Sequence, residues 1–518
     1  MSTNSRYTLH IKRDYSQYWL YSKDKEVDNY TTKLDITKLL TGDILNNNFE
    51  LIKSPLKHKI IPAIIKLDKP FKQLGNKVFY KCYPDNKLYP VFLVKKTMKK
   101  GFKKYQTNQY VLIRYSEWIT KHPYATIIDT IGEITIPNTI RYLLYTKNIP
   151  TKTFHFINKE LLVSHNNTIV QPETIFTIDP IGSRDLDDAL SIRKESSQYI
   201  ITTYISDVVA ILEQYHLWNQ LTSQVATLYT RDKIFTMLPT LLSNDMCSLL
   251  EGLIRNVICT EFIIEDNEII DIKLYRKKVL ITTNYYYEEE KLLGSMNYQL
   301  IYTILKNLKL PFKYEINDSH DVVEVLMILT NYYNAKELAK KHAGIFRKVE
   351  FKGENILCGE IEEFLSRWKW MKSEYVGYDD SLPDNLRHDM LRLDMYTHIT
   401  SPIRRLVDIL NQIVLYDFNV SEEAIEFYTK WIKCIDIINL SMKAVKKIER
   451  YSTLLYSVVE YPEKIYKAYI LDQNQIYIPD LQQVYKLKTS GEVYQKINIK
   501  VYIFWNDYKQ KIRLMQVN

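Results

Sequence analysis

The chain has 518 residues, 46% hydrophobic and 25% charged, which excludes a disordered or low-complexity protein and is too long for a single hydrophobic core. Seventy Lys and Arg against 61 Asp and Glu leave a net charge of +9, an excess that admits a polyanionic partner without demanding one. Five cysteines, Cys82, Cys247, Cys259, Cys358 and Cys434, form no CxxC pair, which argues against structural zinc and a disulfide framework and for a reducing, cytoplasmic setting. With no signal-type leader and no run of about 18 apolar residues, a soluble intracellular protein with no membrane partner is expected.

Up to about residue 160, short alternating runs at 7–12, 77–83 and 110–115 are broken by turn residues at Gly42, Pro84 and Pro123. Period-two alternation with close turns predicts small β-barrels of the OB type, which commonly bind single strands. Lys95, Lys96, Lys99, Lys100, Lys103 and Lys104 interleave with Phe102 and Tyr105. That pattern suits a nucleic-acid strand and a solvated basic loop equally.

Residues 176–190 read FTIDPIGSRDLDDAL and hold four carboxylates, Asp179, Asp185, Asp187 and Asp188, within ten positions. Phe176, Ile178, Leu186, Ala189 and Leu190 lie among them, so a purely solvated acidic turn would strand its apolar side chains in water. So dense a charge needs a counter-ion. Hard oxygen donors suit Mg²⁺, and two such ions about 4 Å apart can hold both the attacking and the leaving oxygen of a phosphodiester.

Further on, residues 199–209 read as a buried strand, and 322–341 and 404–415 carry helical spacing. Ser421 is placed to cap one long helix with Ile425, Tyr428, Trp431, Ile432, Ile435 and Ile438 as an apolar stripe for core packing. Short strands return at 468–471, 475–479 and 497–504. The fold class is therefore α+β, a central mixed domain flanked by small OB-type barrels at both ends. Its expected parts are 1–75, with a first barrel at 28–75, then 76–160 as a second barrel, 161–460 as the central domain and 461–518 as a shortened C-terminal barrel.

The acidic spacing, D, five residues, then D-x-D-D, resembles the signature of the ribonuclease II and R family, whose RNB domain removes nucleotides singly from RNA 3′ ends. Residues 396–405, YTHITSPIRR, with Asp408 following, resemble that family's second signature. Met237, Leu238 and Pro239 and residues 242–249, LSNDMCSL, resemble another stretch in the right order, and 110–118 with 122–133 look like a cold-shock-type barrel.

The resemblance implies a Mg²⁺-dependent, processive 3′ to 5′ exoribonuclease that hydrolyses single-stranded RNA to nucleoside 5′-monophosphates. It implies that Asp179, Asp185, Asp187 and Asp188 hold up to two Mg²⁺, with Mn²⁺ as a substitute, and that Asp187 and Asp188 serve catalysis. Arg404 is implied at the scissile phosphate. Arg405 is implied in binding RNA; the alternative is that Arg404 or Arg405 pairs with Asp408 one helical turn away, and both can hold, since two arginines follow Ser401, Pro402 and Ile403. Tyr229 resembles a base-stacking tyrosine, Tyr287 the tyrosine that clamps the last nucleotide, with Tyr285 and Tyr286 as competing registers, and Glu324 a glutamate lining the same end. The implied partner is single-stranded RNA, with a helicase or RNA-degradation complex as candidate partners of an otherwise monomeric chain.

The pattern departs in places. Thr230 and Arg231 replace the usual leucine and proline, Tyr204 replaces a histidine, and RHDMLRLD at 387–394 replaces a glycine-containing loop. The stretch between Tyr287 and Glu324 is short, with Phe312 as the substitute for a trimmed stacking aromatic. These changes touch substrate grip and leave the aspartates and Arg404 in place. The competing reading is an RNA-binding regulator that keeps the RNB fold and cuts weakly.

Overall fold

A computed structural model describes residues 6–22, 25–26, 34–74, 77–96, 107–149, 173–351, 371–381, 383–506 and 509–517. The basic and aromatic run from Lys99 to Tyr105 and Cys358 lie outside them. The chain divides into two compact units, residues 1–149 with 450–518, and residues 150–449.

In the first unit, alternation builds three sheets. Tyr7–Ile11 lies between Tyr18–Ser22 and Ile44–Leu45 in a five-stranded sheet whose inward side chains are Leu9, Ile11, Leu20 and Leu45. A six-stranded sheet runs Ile61–Ile65, Gln109–Glu117, Tyr124–Glu133, Phe92–Lys96, Lys77–Pro84, Lys72–Leu74, and closes because Ile61–Ile65 also pairs with Lys77–Pro84. Closure satisfies strand edges that would otherwise face water. Tyr80, Cys82, Phe92, Val111 and Ile113 fill its interior.

This corrects the boundary expected near residue 75. The run IPAII at Ile61–Ile65 pairs with residues 109–113, so 61–74 belongs to the closed barrel, while the first sheet occupies 7–53. A helix the sequence pattern missed, Ile136–Thr146, follows. Thr135 caps it, Pro137 starts its first turn, and Tyr142 stacks on Tyr110 at 4.2 Å. The C-terminal strands, expected as a shortened barrel, form a five-stranded sheet ordered Gln483–Lys486, Gln475–Ile478, Ile465–Asp472, Lys496–Asn506, Lys509–Val517.

In the second unit a six-stranded sheet runs Glu268–Leu280, Ile254–Glu265, Gln198–Ser206, Asp188–Glu195, Phe176–Asp179, Thr283–Tyr286. Only its last pairing, Phe176–Asp179 with Thr283–Tyr286, is parallel. Helices Met296–Asn307 and Ser319–Lys340 share a hydrophobic core with Phe176, Ile178, Leu190 and Ile201 of that sheet. A second core gathers Val208–Gln214, Leu406–Leu415 and Glu422–Ile432.

Two expectations change here. The strand expected over 199–209 ends at Ser206, because Asp207 caps a helix from Val208. The single long helix is two, Glu422–Ile432 and Ile435–Glu460, separated by a turn in which the Cys434 N–H donates to the Trp431 carbonyl at 2.9 Å. Tyr428, Trp431 and Ile438 stay buried on both sides of the turn, and that unbroken period is what read as one helix. Among the described residues, no helix is long and apolar enough to cross a membrane.

Candidate active site

Alternation along Phe176–Asp179 buries Phe176 and Ile178 in the core and sends Asp179 to the other face. A turn follows in which Gly182 takes φ +85°, a conformation ordinary side chains avoid. The acidic loop is then held by the LSNDMCSL stretch. Leu186 N–H donates to Ser248 Oγ at 3.1 Å, Ser248 Oγ donates to the Arg184 carbonyl at 2.8 Å, and Leu249 N–H donates to the Leu186 carbonyl at 3.0 Å.

Asp187, 2% exposed, is where the two signatures meet. Its Oδ1 accepts the Ile403 N–H at 2.8 Å and its Oδ2 accepts Arg404 Nε at 3.0 Å. Arg404 Nη2 donates to Ser401 Oγ at 3.1 Å, and the side chain remains 48% exposed. An antiparallel bridge between Ala226 and Arg405, with Thr227 N–H donating to the Arg404 carbonyl at 3.0 Å and Leu406 N–H to the Val225 carbonyl at 2.9 Å, brings residues 225–229 alongside. Tyr229 thereby reaches Asp185, donating its hydroxyl to Oδ2 at 2.5 Å.

Burial dominates the electrostatics. It pushes the Asp187 carboxyl up to about 7 although Arg404 opposes it, and Asp179 up to about 6 although Thr177 and Arg404 oppose it. Asp188 rises well above the carboxylate range through burial and through Asp179 and Asp187. Burial works against the Arg404 charge, but Asp187 and its neighbours hold it on the guanidinium.

Asp179 Oδ2 is buried without a hydrogen-bond partner. Among the described residues, no three His, Cys, Asp or Glu side chains already form a cation cage, since Arg404 closes Asp187 and Tyr229 closes Asp185. The donor set is nonetheless all oxygen, with one orphaned buried carboxylate oxygen and mutually destabilised acids beside it. That chemistry fits a hard divalent cation.

The structure separates the three adjacent tyrosines. Tyr285 packs its ring edge-on against Phe176 at 5.6 Å, Tyr286 is 43% exposed, and Tyr287 is the one whose hydroxyl is raised, by burial and then by Asp188, Asp179 and Glu324. Tyr287 lies flat on His320. The two rings flank a clasp in which Ser319 Oγ donates to Glu288 Oε1 at 2.5 Å and Ser319 N–H to the same oxygen at 3.2 Å. Glu324 is exposed one helical turn from His320. His320 drew no attention in the sequence, where a polar residue at a helix start reads as solvated, while Ser401 and Ser248 lay inside the two quoted motifs without a role of their own.

Other assignments shift. Arg405 donates Nε and Nη2 to Asp408 at 2.8 and 2.9 Å, and Asp408 also accepts the Ser401 N–H at 2.7 Å, so Arg405 holds the signature turn. Phe312 is 7% exposed within the core and offers no stacking face, because the short connection pulls it under the helices. Tyr204 shares a buried hydrogen bond with Ser191 at 2.8 Å. In the loop that lacks glycine, Arg392 itself adopts φ +56°.

The RNB domain family matches residues 170–293 and 350–419. A ribonuclease R of Buchnera aphidicola is 26% identical over 330 residues, 49% of this chain and 45% of that protein. With the Chlamydia pneumoniae ribonuclease R, matched over 57% of its length, it shows that the chain spans about half the length of the curated relatives it matches. Among solved structures, Mycoplasma genitalium RNase R in complex with ribose-methylated single-stranded RNA is similar in fold. Its TM-score is 0.64 at 16% identity, over 96% of this chain and 97% of that one. Yeast Ssd1, a pseudonuclease, gives 0.59 at 13% identity over 93% and 78%.

Proposed function

This chain belongs to the ribonuclease II and R family, and on that premise we propose that it is a divalent-metal-dependent, processive 3′ to 5′ exoribonuclease releasing nucleoside 5′-monophosphates from single-stranded RNA. The observation that carries the reading is the closure of Asp187 by Ile403 N–H and Arg404, 216 and 217 residues away, beside Asp179 and Asp188.

Asp179, Asp185, Asp187 and Asp188 would hold up to two Mg²⁺, or Mn²⁺ in their place. Such ions, when bound, supply charge neutralisation at the phosphate and make water a better nucleophile. The chain's own groups do the rest. Ile403 N–H fixes the orientation of Asp187. Arg404 is half-exposed, with Nε and Nη2 turned to Asp187 and Ser401, and its planar fork suits phosphate oxygens whose charge grows in the transition state. Tyr229 and Tyr287 present ring faces that accept any base. Glu324 stands at the Tyr287 end. The chain works as a monomer in a reducing, cytoplasmic setting, consistent with the unpaired Cys82, Cys247, Cys259 and Cys434, and a helicase or degradation complex is the partner class.

The second reading, an RNB-fold RNA-binding regulator that cuts weakly, draws on the likeness to a pseudonuclease fold. A 5′-labelled oligoribonucleotide incubated with and without EDTA separates the two. Metal-dependent shortening to very short products is expected. Binding without shortening would leave the regulator.

A further inference from the structure

Residues 224–237 read QVATLYTRDKIFTM, two short alternating runs about a polar turn. Leu228–Tyr229 pairs antiparallel with Ile234–Phe235, and the alternation buries Leu228 and leaves Tyr229 exposed. Thr230 closes the turn, its N–H donating to the Lys233 carbonyl at 3.1 Å and its Oγ accepting the Lys233 N–H at 3.2 Å. The base of the hairpin is tied by Gln224 Nε2, which donates to the Ala226 and Phe235 carbonyls at 2.9 Å each. Glu449 Oε1 accepts the N–H of Tyr229 itself at 3.0 Å. The tyrosine is therefore presented from a backbone fixed at its turn, at its base and at its own amide.

That fixed ring carries a group that stacking does not use. A base needs only an aromatic face, which phenylalanine would supply equally. The Tyr229 hydroxyl instead donates to Asp185 Oδ2 at 2.5 Å. A carboxylate only accepts, so this bond is charge-assisted and runs one way.

Asp185 is otherwise held through its backbone alone. Ser248 Oγ accepts the Leu186 N–H on one side of it and donates to the Arg184 carbonyl on the other. Rotation of the carboxylate is the freedom that remains, and the Tyr229 hydroxyl removes it. Only one oxygen is engaged in doing so. Asp185 Oδ1 takes no hydrogen bond among the described residues, whereas Asp187 has both oxygens engaged, by Ile403 N–H and Arg404.

From this juxtaposition we infer, on the metal-dependent reading above, that Tyr229 is a positioning residue for the cation site: its hydroxyl fixes Asp185 with Oδ1 as the oxygen offered to a divalent cation, while its ring stays available to a base. Loss of a group that orients a ligating carboxylate typically changes metal affinity by about 10- to 100-fold. One side chain thus serves the cation and the RNA through different atoms, and removing the hydroxyl alone separates the two services.

The test titrates Mn²⁺ into the full chain without RNA and follows the free ion by electron paramagnetic resonance, which reads the cation site apart from any cleavage. Tyr229→Phe should raise the Mn²⁺ Kd about 10-fold or more. Its affinity for a fluorescent oligoribonucleotide in EDTA should stay within about twofold of the parent, because the ring is kept. An Mn²⁺ Kd equal to the parent's, or a lower one, overturns the inference and leaves the metal-dependent reading standing. A parallel loss of RNA affinity also overturns it, since the hydroxyl would then be a general prop of the hairpin. A parent chain that binds no Mn²⁺ overturns the metal-dependent reading and the inference with it.

Discussion

The ring of Tyr287 lies on that of His320 with centroids 3.7 Å apart and planes 9° from parallel. His320 therefore acts as a positioning residue for the tyrosine that faces the acids. An aromatic stack contributes about 0.5 to 1.5 kcal/mol, so His320→Ala should raise KM for a short oligoribonucleotide by about 2- to 10-fold with kcat nearly unchanged. His320→Phe should restore it. Steady-state kinetics decide, and a fall in kcat at constant KM would place the ring in the chemistry instead.

Asp187→Asn keeps an acceptor for the Ile403 N–H and removes the charge that Arg404 balances. RNA binding should persist while degradation slows at least about 10³-fold. Gel-shift titration alongside a labelled degradation assay reads both quantities, and degradation at the parental rate would remove Asp187 from catalysis.

Arg404→Lys replaces a rigid fork by a point charge. Turnover should fall far more than RNA affinity, measured as kcat against Kd on one oligonucleotide. Equal losses would assign Arg404 to binding.

Arg405 answers differently. Asp408 is fully buried and loses its partner in Arg405→Ala, which should cost about 3 kcal/mol or more of stability. Chemical denaturation would register it as a lowered midpoint at an unchanged slope. A variant as stable as the parent would show that Arg405 does not hold the turn.

Acid sensitivity has an identifiable source in His388. Its Nδ1 accepts the Leu391 N–H at 3.3 Å, so the neutral ring is the one the loop holds, and burial with Arg347 nearby lowers its pKa from 6.5 to about 4. The unfolded chain then binds the proton first, and this group's contribution to stability is lost as pH falls from about 6.5 towards 4. His388→Gln should flatten the pH dependence of the unfolding free energy in that window. An identical slope in both proteins would assign it to other groups.

The two signatures were legible because each is a short local string whose chemistry is carried by residue type. What joined them was not. The Asp187 contact to Ile403 is made by a backbone N–H, which leaves no trace in side-chain identity. The choice among Tyr285, Tyr286 and Tyr287 depends on the parallel pairing of 176–179 with 283–286, and a period of two cannot say which neighbour a strand will take. Residues 61–65, apolar nearly throughout, fit either barrel by pattern, and only their pairing with both 109–113 and 82–84 assigns them. Phe312 looked like a replacement ring because its burial depends on helices elsewhere in the chain.

The span of the Asp187 pairing also orders events in time. Closing a loop of 217 residues is entropically late, and contacts so far apart slow folding. A chain emerging from synthesis would display all four carboxylates well before Ile403 and Arg404 exist to orient them. The candidate site thus forms only after residues 403 and 404 have been made, and any fragment ending before residue 403 should be inert however well its sheet forms.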